Sequence, residues 1–233
     1  MGIYAISDLH LSFGVNKPMN IFGDNWENHA QRLRDNWVKI IREDDVVLIP
    51  GDISWGINLE EADPDFAYIE ALPGKKILAK GNHDYWWSTL RKFDQYLEEK
   101  GYRTIKILRN NAYRTGDYTV CGSRGWISPD EEGFDEKDKK VFNRECQRLG
   151  LSLQEGRKLG GELIAMLHYP PFDNMHHPNA FADILKAFGV KTCIYGHIHG
   201  NANDSWKNET IDGINYHLVS CNMIGFSPVK LRP

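Results

Sequence analysis

The stretch KKILAKGNHDYWW (residues 75–87) passes from a short apolar run through a glycine into an amide, an imidazole and a carboxylate. The run KKILA is typical of a buried β-strand. Gly81 lets the backbone turn sharply, so Asn82, His83 and Asp84 come together where the strand ends. Ligands of open α/β sheets bind at the carboxyl ends of strands. The stretch therefore predicts an α/β fold. At this strand end it predicts either a turn whose polar side chains have no function or a functional site.

Four further apolar runs end in the same kind of side chain. The runs are YAIS, VVLIP, LIAML and CIY. The polar residues that follow them are Asp8 and His10, Asp52, His168, and His197 and His199. With His83, five of the nine histidines fall at five predicted strand ends. Repetition of this kind favours a site over a set of unrelated turns.

The residue types at these strand ends indicate metal binding. Imidazole and carboxylate together suit zinc, iron, manganese and similar ions. One ion would use about four protein ligands, so a larger set fits two ions about 3.5–4 Å apart that share one carboxylate. Two carboxylates and two divalent ions would leave a net charge of about +2, which attracts an anion. The candidate ligands are Asp8, His10, Asp52, Asn82, His168, His197 and His199.

The ordered motifs DLH, GD, GNHD, a lone histidine and GHIH resemble those of the calcineurin-like metallophosphoesterase family, and they span residues 8–199. The resemblance implies two divalent or trivalent metal ions, manganese, iron or zinc. The first would be held by Asp8, His10, Asp52 and His199. The second would be held by Asp52, Asn82, His168 and His197, with Asp52 bridging. His83 and Asn82 match the catalytic residues of the family, His83 as the group that contacts the phosphoryl group and protonates the leaving oxygen.

The resemblance implies a dinuclear metal-dependent phosphohydrolase. It would cleave a phosphate ester of a small phosphorylated substrate by attack of metal-bound hydroxide. Whether the substrate is a phosphomonoester or a phosphodiester stays open. The alternative is a catalytically idle scaffold of the same fold that binds protein partners. Such a scaffold is expected to lose ligands or the histidine after Asn82, and this sequence keeps them.

One position departs from the family's protein serine/threonine phosphatases. In those enzymes an aspartate three residues after the GD aspartate orients the catalytic histidine, whereas this sequence has Trp55 there. Either Asp84 or another acid orients His83, or no group does. The departure argues against a phosphoprotein phosphatase.

The hydrophobic pattern predicts a single α/β domain over residues 1–233. Strands and helices alternate up to Gly101, and short hairpins follow, which indicates mixed sheets. With the family resemblance, this implies two packed mixed β-sheets flanked by helices, a four-layer αββα sandwich. The predicted strands are 1–6, 45–50, 75–79, 162–168 and 191–196, the antiparallel runs TIKIL, AYRT and YTVCG, and the hairpin NETIDGINYHLVS. The predicted helices are 26–42, 59–72 with an interruption near Pro64, 88–100, 137–158 with a break around Gly150, and 179–188.

Composition and short sequence features indicate the cellular compartment and the kinds of partner to expect. The net charge of −4 gives no basic footprint, which disfavours a nucleic-acid polymer as substrate. No apolar run approaches the ~20 residues of a membrane span, and the start MGIYAISDLHL lacks the features of a signal peptide. The four cysteines form no CxxC pair and are expected to be reduced thiols. We therefore expect a cytoplasmic protein.

Several other side chains have two interpretations each. Arg124, in CGSRGW, is either an exposed loop arginine or a fork for a phosphate group. His176 and His177 either line the substrate entrance or belong to a solvated loop. The loop tryptophans either pack or form an aromatic rim that stacks a substrate. They are Trp55, Trp86, Trp87 and Trp126.

Overall fold

The computed structural model describes residues 1–200 and 208–232, and within them the chain forms eleven strands and five α-helices. The strands are β1 (Ile3–Ala5), β2 (Val46–Ile49), β3 (Lys75–Leu78), β4 (Ile105–Ile107), β5 (Tyr113–Thr115), β6 (Tyr118–Ser123), β7 (Glu162–Leu167), β8 (Thr192–Tyr195), β9 (Glu209–Ile211), β10 (Ile214–Leu218) and β11 (Val229–Arg232). The helices are α1 (His29–Ile40), α2 (Leu59–Glu70), α3 (Leu90–Lys100), α4 (Glu136–Leu159) and α5 (Ala180–Ala187). Two short 3₁₀ helices, Met19–Phe22 and Asp24–Trp26, precede α1.

The strands form two mixed sheets. The first has the order β11-β1-β2-β3-β4, and only β11 runs antiparallel to its neighbour. The second has the order β5-β6-β7-β8-β10-β9, with antiparallel strands at both edges of a parallel centre. Parallel neighbours end at the same edge of a sheet, so the predicted strand-end residues of each sheet are brought side by side.

Three apolar clusters separate four layers of structure. The sheets pack face to face through alternate residues, such as Ile3 and Val46 against Ile164 and Ile194. The other face of the first sheet is covered by α1, α2 and α3. The other face of the second sheet is covered by α4 and α5. The predicted α/β fold with two packed mixed sheets between helices is confirmed.

Three details of the predicted elements were wrong. Helix α2 continues through Pro64, because burial of Ala62, Phe66 and Ile69 against the first sheet offsets the hydrogen bond that the proline removes. Helix α4 is unbroken at Gly150, because one glycine costs only about 1 kcal/mol, while Leu149 and Leu153 on either side are buried against the second sheet. Strand β4 is parallel to β3, not antiparallel, because α3 returns the chain across the sheet before β4 begins.

Other predicted elements agree in place and differ in their ends. Helix α1 begins at His29, and Trp26 lies in the preceding 3₁₀ helix. The hairpin of β9 and β10 turns at Asp212 and Gly213, as the Asp-Gly dipeptide predicts. Strand β11 was not predicted. In the described residues no helix is long and apolar enough to cross a membrane, and all four cysteines are unpaired.

The two sheets meet at the edge where the site lies. Ser7, just after β1, forms a bridge with Ser220, which follows β10. The Cys221 amide donates to the Ser7 carbonyl at 2.9 Å, and the Asp8 amide donates to the Gly51 carbonyl at 3.0 Å. These bonds hold the loops after β1, β2 and β10 together at the carboxyl ends of the parallel strands.

Candidate active site

Four of the predicted ligands have positive φ angles, a left-handed backbone conformation that residues other than glycine rarely adopt. Asp8, His10, Asp52 and His197 have φ angles of 59°, 45°, 52° and 71°. Each such residue costs of the order of 1–3 kcal/mol, and such residues cluster at functional sites. The strand-end loops are therefore shaped to aim these side chains, at a cost in stability.

A first group of ligand atoms gathers around the imidazoles of His10 and His199. Their Nε2 atoms are 3.3 Å apart, and His199 Nε2 is 3.3 Å from Asp8 Oδ1. His199 Nδ1 donates to the Asn222 side-chain oxygen at 2.8 Å, so the neutral ring has its lone pair on Nε2. Ligands at about 2.1 Å from a tetrahedral ion lie about 3.4 Å apart. The spacing of these atoms fits one metal ion.

A second group gathers around the Asn82 oxygen. His168 Nε2 lies 2.6 Å from Asn82 Oδ1, and His197 Nδ1 lies 3.0 Å from it. His168 Nδ1 donates to the Pro50 carbonyl at 3.0 Å, so its Nε2 presents a lone pair to oxygen atoms. The His168 Nε2 lone pair and the Asn82 oxygen are thus two acceptors that face each other in a buried site, an arrangement that a cation near both would stabilise. This group also fits a metal ion.

Asp52 lies between the two groups. Its Oδ2 atom is 3.8 Å from His10 Nε2 and 3.5 Å from His168 Nε2. Its Oδ1 accepts the His83 amide at 2.9 Å, which fixes the carboxylate. Asp8 is near both groups, because a carboxylate oxygen of Asp8 lies within 4.8 Å of ligand atoms of Asp52 and His168, and one also lies within 4.8 Å of ring nitrogens of His10 and His199. A carboxylate in this place could bridge two ions.

The surroundings of the two groups favour neutral imidazoles at His10, His168 and His197, and they disfavour a second charged carboxylate at Asp52. Burial, and then the charge of His168, lowers the pKa of His197 to about 3. Burial also lowers the pKa values of His10 and His168, so these rings are neutral at neutral pH. Burial, and then the charge of Asp8, raises the pKa of Asp52 to about 8. Two buried carboxylates so close together need a positive charge, which bound cations would provide.

His83 lies beside these groups with a different environment. Its Nε2 atom is 4.0 Å from Asp52 Oδ2, and its side chain is 34% exposed to the cleft. In the part of the chain that the structure describes, its Nδ1 atom is buried without a hydrogen-bond partner. The Trp55 ring packs on it, with centroids 4.4 Å apart. The ring of His83 is thus held by an aromatic neighbour where protein phosphatases of the family use an aspartate.

Asp84 does not orient His83. Its carboxylate accepts the amides of Gly81 at 2.7 Å, Asp52 at 2.9 Å and Ile53 at 2.9 Å. Asp84 therefore ties the loop after β3 to the loop after β2. Asp84 is the carboxylate that the sequence analysis named for this role, and in the structure it binds backbone amides instead.

The candidate groups open into a cleft of about 520 Å³. One wall comes from the segment before α1, which sequence reasoning missed because it has no periodic pattern. This wall includes Lys17, Met19, Phe22 and Trp26. The Lys17 ammonium lies 3.4 Å from the centroid of the Trp55 ring, so the mouth of the cleft combines an apolar wall with a cation.

Asn222 is a second residue that sequence reasoning missed. It lines the cleft and orients His199 through its side-chain oxygen. Orientation of a metal-ligating imidazole by its other nitrogen is a common feature of metal sites. A signal existed, because HLVSCN passes from a strand into an amide as the other strand ends do. Strand β10 is parallel to β8 and ends at the same edge.

The sequence left two interpretations each for His176, His177 and Arg124. None of the three is among the described residues that line the cleft. His176 stacks on Phe172 and pairs with Glu209. His177 is 66% exposed and pairs with Asp173, as a solvated loop residue would. Arg124 is not an exposed loop arginine, since its side chain is only 14% exposed.

Of the four loop tryptophans, three pack against neighbouring aromatic rings and one lines the cleft. Trp86 is buried against the Phe66 ring, and Trp87 packs on Phe93. Trp126 packs on Tyr169, whose ring in turn contacts His197. Trp55 lines the cleft and is stacked on the His10 ring, with centroids 5.0 Å apart.

Comparison with known proteins agrees with this geometry. An uncharacterised protein of Methanocaldococcus jannaschii, MJ1445, is 29% identical over 126 residues, which are 54% of this chain and 65% of that protein. The chain thus spans less than two-thirds of that relative's length. Phosphopantetheinyl hydrolase (PptH) from Mycobacterium tuberculosis superimposes with a TM-score of 0.59 at 14% identity, over 100% of this chain and 96% of its own. TT1561 of Thermus thermophilus does so with a TM-score of 0.57 at 12% identity, over 99% and 97%. The sequence model of the calcineurin-like phosphoesterases matches residues 1–201, and the chain belongs to that family.

Proposed function

We propose that this protein is a phosphoesterase that hydrolyses an ester of a small phosphorylated substrate at a centre of two metal ions. The observation that carries the proposal is the place of Asp52. One of its oxygens lies 3.8 Å from an imidazole of the first group and 3.5 Å from an imidazole of the second. A carboxylate between two groups of ligands can bridge two ions about 3.5–4 Å apart.

The donor atoms fit two ions in number and in kind. The first ion would be held by Asp8, His10, Asp52 and His199. The second would be held by Asp52, Asn82, His168 and His197. Manganese, iron and zinc all suit such mixed nitrogen and oxygen ligands. When bound, the ions would supply Lewis-acid charge to the phosphoryl oxygens and lower the pKa of a water that attacks phosphorus.

The protein's own residues would position the ester and supply a proton. His83 faces the cleft beside Asp52, where a protonated Nε2 could donate to the oxygen that leaves phosphorus. Asn82 supplies a neutral oxygen, so the site keeps more positive charge for the substrate than a third carboxylate would leave. Asp84 holds the loops of Asn82 and Asp52 in register through their backbones.

The cleft favours a small substrate. Its volume of about 520 Å³ is in the range of sites for small organic molecules. The structural likeness to a phosphopantetheinyl hydrolase agrees with an organic phosphoester, although at 14% identity that likeness concerns the fold. Monoesters and diesters both remain candidates, so both belong in the test.

The test is hydrolysis of p-nitrophenyl phosphate and bis(p-nitrophenyl) phosphate by protein loaded with Mn²⁺. Asp52→Asn should lower kcat/KM for the better substrate by about 100-fold or more, since it weakens both ion sites. Elemental analysis of the same variant should show metal loss. Asp183→Asn, on the exposed side of α5, is the matched control and should retain activity and metal.

Two results would count against the proposal. Activity that survives Asp52→Asn unchanged would remove the bridging role. Full metal occupancy without turnover of any phosphoester in a wide panel would favour the idle scaffold.

A further inference from the structure

A second cavity, of about 360 Å³, lies at the same edge of the sheets as the cleft. Its cations come from three strand ends and one helix: Lys80 follows β3, Arg109 follows β4, Arg124 follows β6, and Arg148 lies on α4. Glu145 of α4 is the one carboxylate among the described lining residues. We call this cavity, defined by these five residues, the basic pocket.

The cations of the basic pocket exceed the carboxylates by three. Glu145 Oε1 lies 2.6 Å from Arg148 Nη1 and 3.6 Å from Arg124 Nη2, so its charge is shared by two guanidinium groups. No ion pair or side-chain hydrogen bond to Lys80 or Arg109 occurs in the described residues. An ion-pair network that served only stability would balance its charges more closely.

Arg124 shows most directly that a partner is missing. Its side chain is only 14% exposed and packs over the Trp126 ring at 4.2 Å. Its Nε atom is buried and has no hydrogen-bond partner in the residues that the structure describes. A buried donor without an acceptor, beside crowded cations, leaves a place for an anion.

Neutral donors and a helix end complete the lining. Ser88, Thr89 and Ser123, which carry hydroxyl groups, line the basic pocket. Thr89 is the N-cap of α3, so the positive end of an 11-residue helix lies at the pocket wall. Hydroxyl groups, guanidinium groups and a helix N-terminus are the groups that bind phosphate and carboxylate oxygens.

The basic pocket adjoins the candidate metal groups. Lys80 precedes Asn82 by two residues. The Arg124 carbonyl accepts the amides of His168 and Tyr169, each at 2.9 Å. One bound molecule could therefore reach from the cleft toward the pocket.

We propose that the basic pocket binds an oxyanion, a phosphate or carboxylate group. The anion is either free in solution or a second charged group of the substrate, and only the latter source rests on the proposed function. Binding itself needs neither metal ions nor turnover.

The test is calorimetric titration of metal-loaded protein with inorganic phosphate. Wild type should show two classes of site, one at the metal centre and one in the basic pocket. The double variant Lys80→Gln/Arg109→Gln should bind at the second class about 10-fold or more weakly and keep the first. Arg103→Gln, exposed at the other end of β4, is the control. Arg124 is left intact, because its loss would leave Glu145 buried with fewer partners.

A kinetic arm distinguishes the two sources of the anion. If the pocket takes part of the substrate, the double variant should raise KM about 10-fold for esters with a second phosphate or carboxylate and leave KM unchanged for p-nitrophenyl phosphate. If the anion is free in solution, the double variant should bind phosphate more weakly in calorimetry, while its KM values for all esters stay unchanged. Removal of the metal should abolish phosphate binding at the first class of site and leave the second class unchanged. That result would support the basic pocket even if the protein hydrolysed no ester. Equal phosphate binding by wild type and double variant would overturn the inference.

Discussion

His83 differs from the other imidazoles of the candidate active site in its surroundings. The rings of His168 and His199 each donate one nitrogen to a fixed oxygen, which sets the lone pair of the other nitrogen. His83 has no such acceptor among the described residues and is held by Trp55. Its Nε2 can therefore carry a proton, but burial, and then the charge of His168, lowers the pKa of His83, so the anionic phosphoryl group of a substrate would have to raise that pKa. A proton at Nε2 is what a general acid needs.

The leaving group tests whether His83 donates a proton. His83→Gln should lower kcat/KM for phenyl phosphate by about 10²–10⁴-fold. The fall for p-nitrophenyl phosphate should be much smaller, because p-nitrophenolate leaves without protonation. The measurement is the ratio of the two rates in metal-loaded protein of known metal content. His177→Gln, exposed and outside the cleft, should change neither rate. Equal losses for both esters would mean that His83 only binds the phosphoryl group.

At the scale of elements, α4 shows how packing overrides local propensity. It runs through two glycines, Gly150 and Gly156, in 24 residues. Gly150 has open space where a Cβ would lie, whereas a Cβ at Gly156 would overlap Cys121 Sγ on β6. Only the second glycine is therefore needed for close approach of helix and sheet. The sequence cannot distinguish the two, because the distinction depends on what faces each residue.

The two glycines predict opposite effects on stability. Gly150→Ala should raise the free energy of unfolding by about 0.5–1 kcal/mol, because alanine loses less backbone entropy on folding. Gly156→Ala should lower it by about 1–3 kcal/mol through overpacking against β6. Urea unfolding of wild type and both variants measures the differences. A destabilising Gly150→Ala would mean that α4 bends or changes conformation at that residue.

Strand β3 contains a buried cation. Lys76 is fully buried, and its ammonium donates to Thr104 Oγ1 at 2.8 Å and to the carbonyls of Glu70 and Leu72. Thr104 donates in turn to the Glu70 carboxylate at 2.6 Å. Burial lowers the pKa of Lys76 to about 8. The charge is thus tolerated through hydrogen bonds, at a cost that depends on pH.

This cost predicts the direction of a pH effect on stability. Below pH ~8 the ammonium is charged in both states, and the folded state bears the full cost of its burial. Between pH ~8 and ~10.5 the unfolded chain binds more protons than the folded one, so stability rises with pH. Relative to Lys76→Met, wild type should gain about 1–3 kcal/mol between pH 7.5 and 10. Urea unfolding at both pH values measures the gain, and Lys75→Met, on the exposed neighbour, should show none. A constant difference would mean that Lys76 stays charged.

At the scale of the whole molecule, the sequence predicted most of the candidate ligands but few of the residues that surround them. The gathered side chains, such as Asp8, Asp52 and His168, each follow an apolar run directly, so a local pattern reveals them. Asn222 follows the same pattern but lies outside the family motifs. The wall around Lys17 and the basic pocket around Arg124 depend on which loops meet, which no local pattern records. Mixed sheets follow from the alternation of strands, helices and hairpins, whereas the packing of two such sheets was implied by the family resemblance. The direction of β4 depends on the path of α3.

The candidate metal groups join the two sheets, which links metal binding to the stability of the whole fold. Asp52 and Asn82 follow strands of the first sheet, while His168 and His197 follow strands of the second. Ions bound between them would be lost on unfolding, because no segment of the chain contains both halves of either group. Without ions, the buried carboxylates of Asp8 and Asp52 repel each other. Metal should therefore stabilise the folded state strongly.

Thermal unfolding with Mn²⁺ and with EDTA tests this link. Free metal at 100 times its dissociation constant should add about 2.7 kcal/mol to the free energy of unfolding for each bound ion. For a chain of 233 residues this corresponds to a rise in Tm of about 5–10 °C. Asp52→Asn should lose most of the rise, because it removes the oxygen that both groups share, whereas Asp35→Asn, on the exposed face of α1, should keep it. If elemental analysis found bound metal and Tm did not change, the unfolded chain would bind the ions as tightly as the folded chain, and the site would not depend on ligands gathered from both sheets.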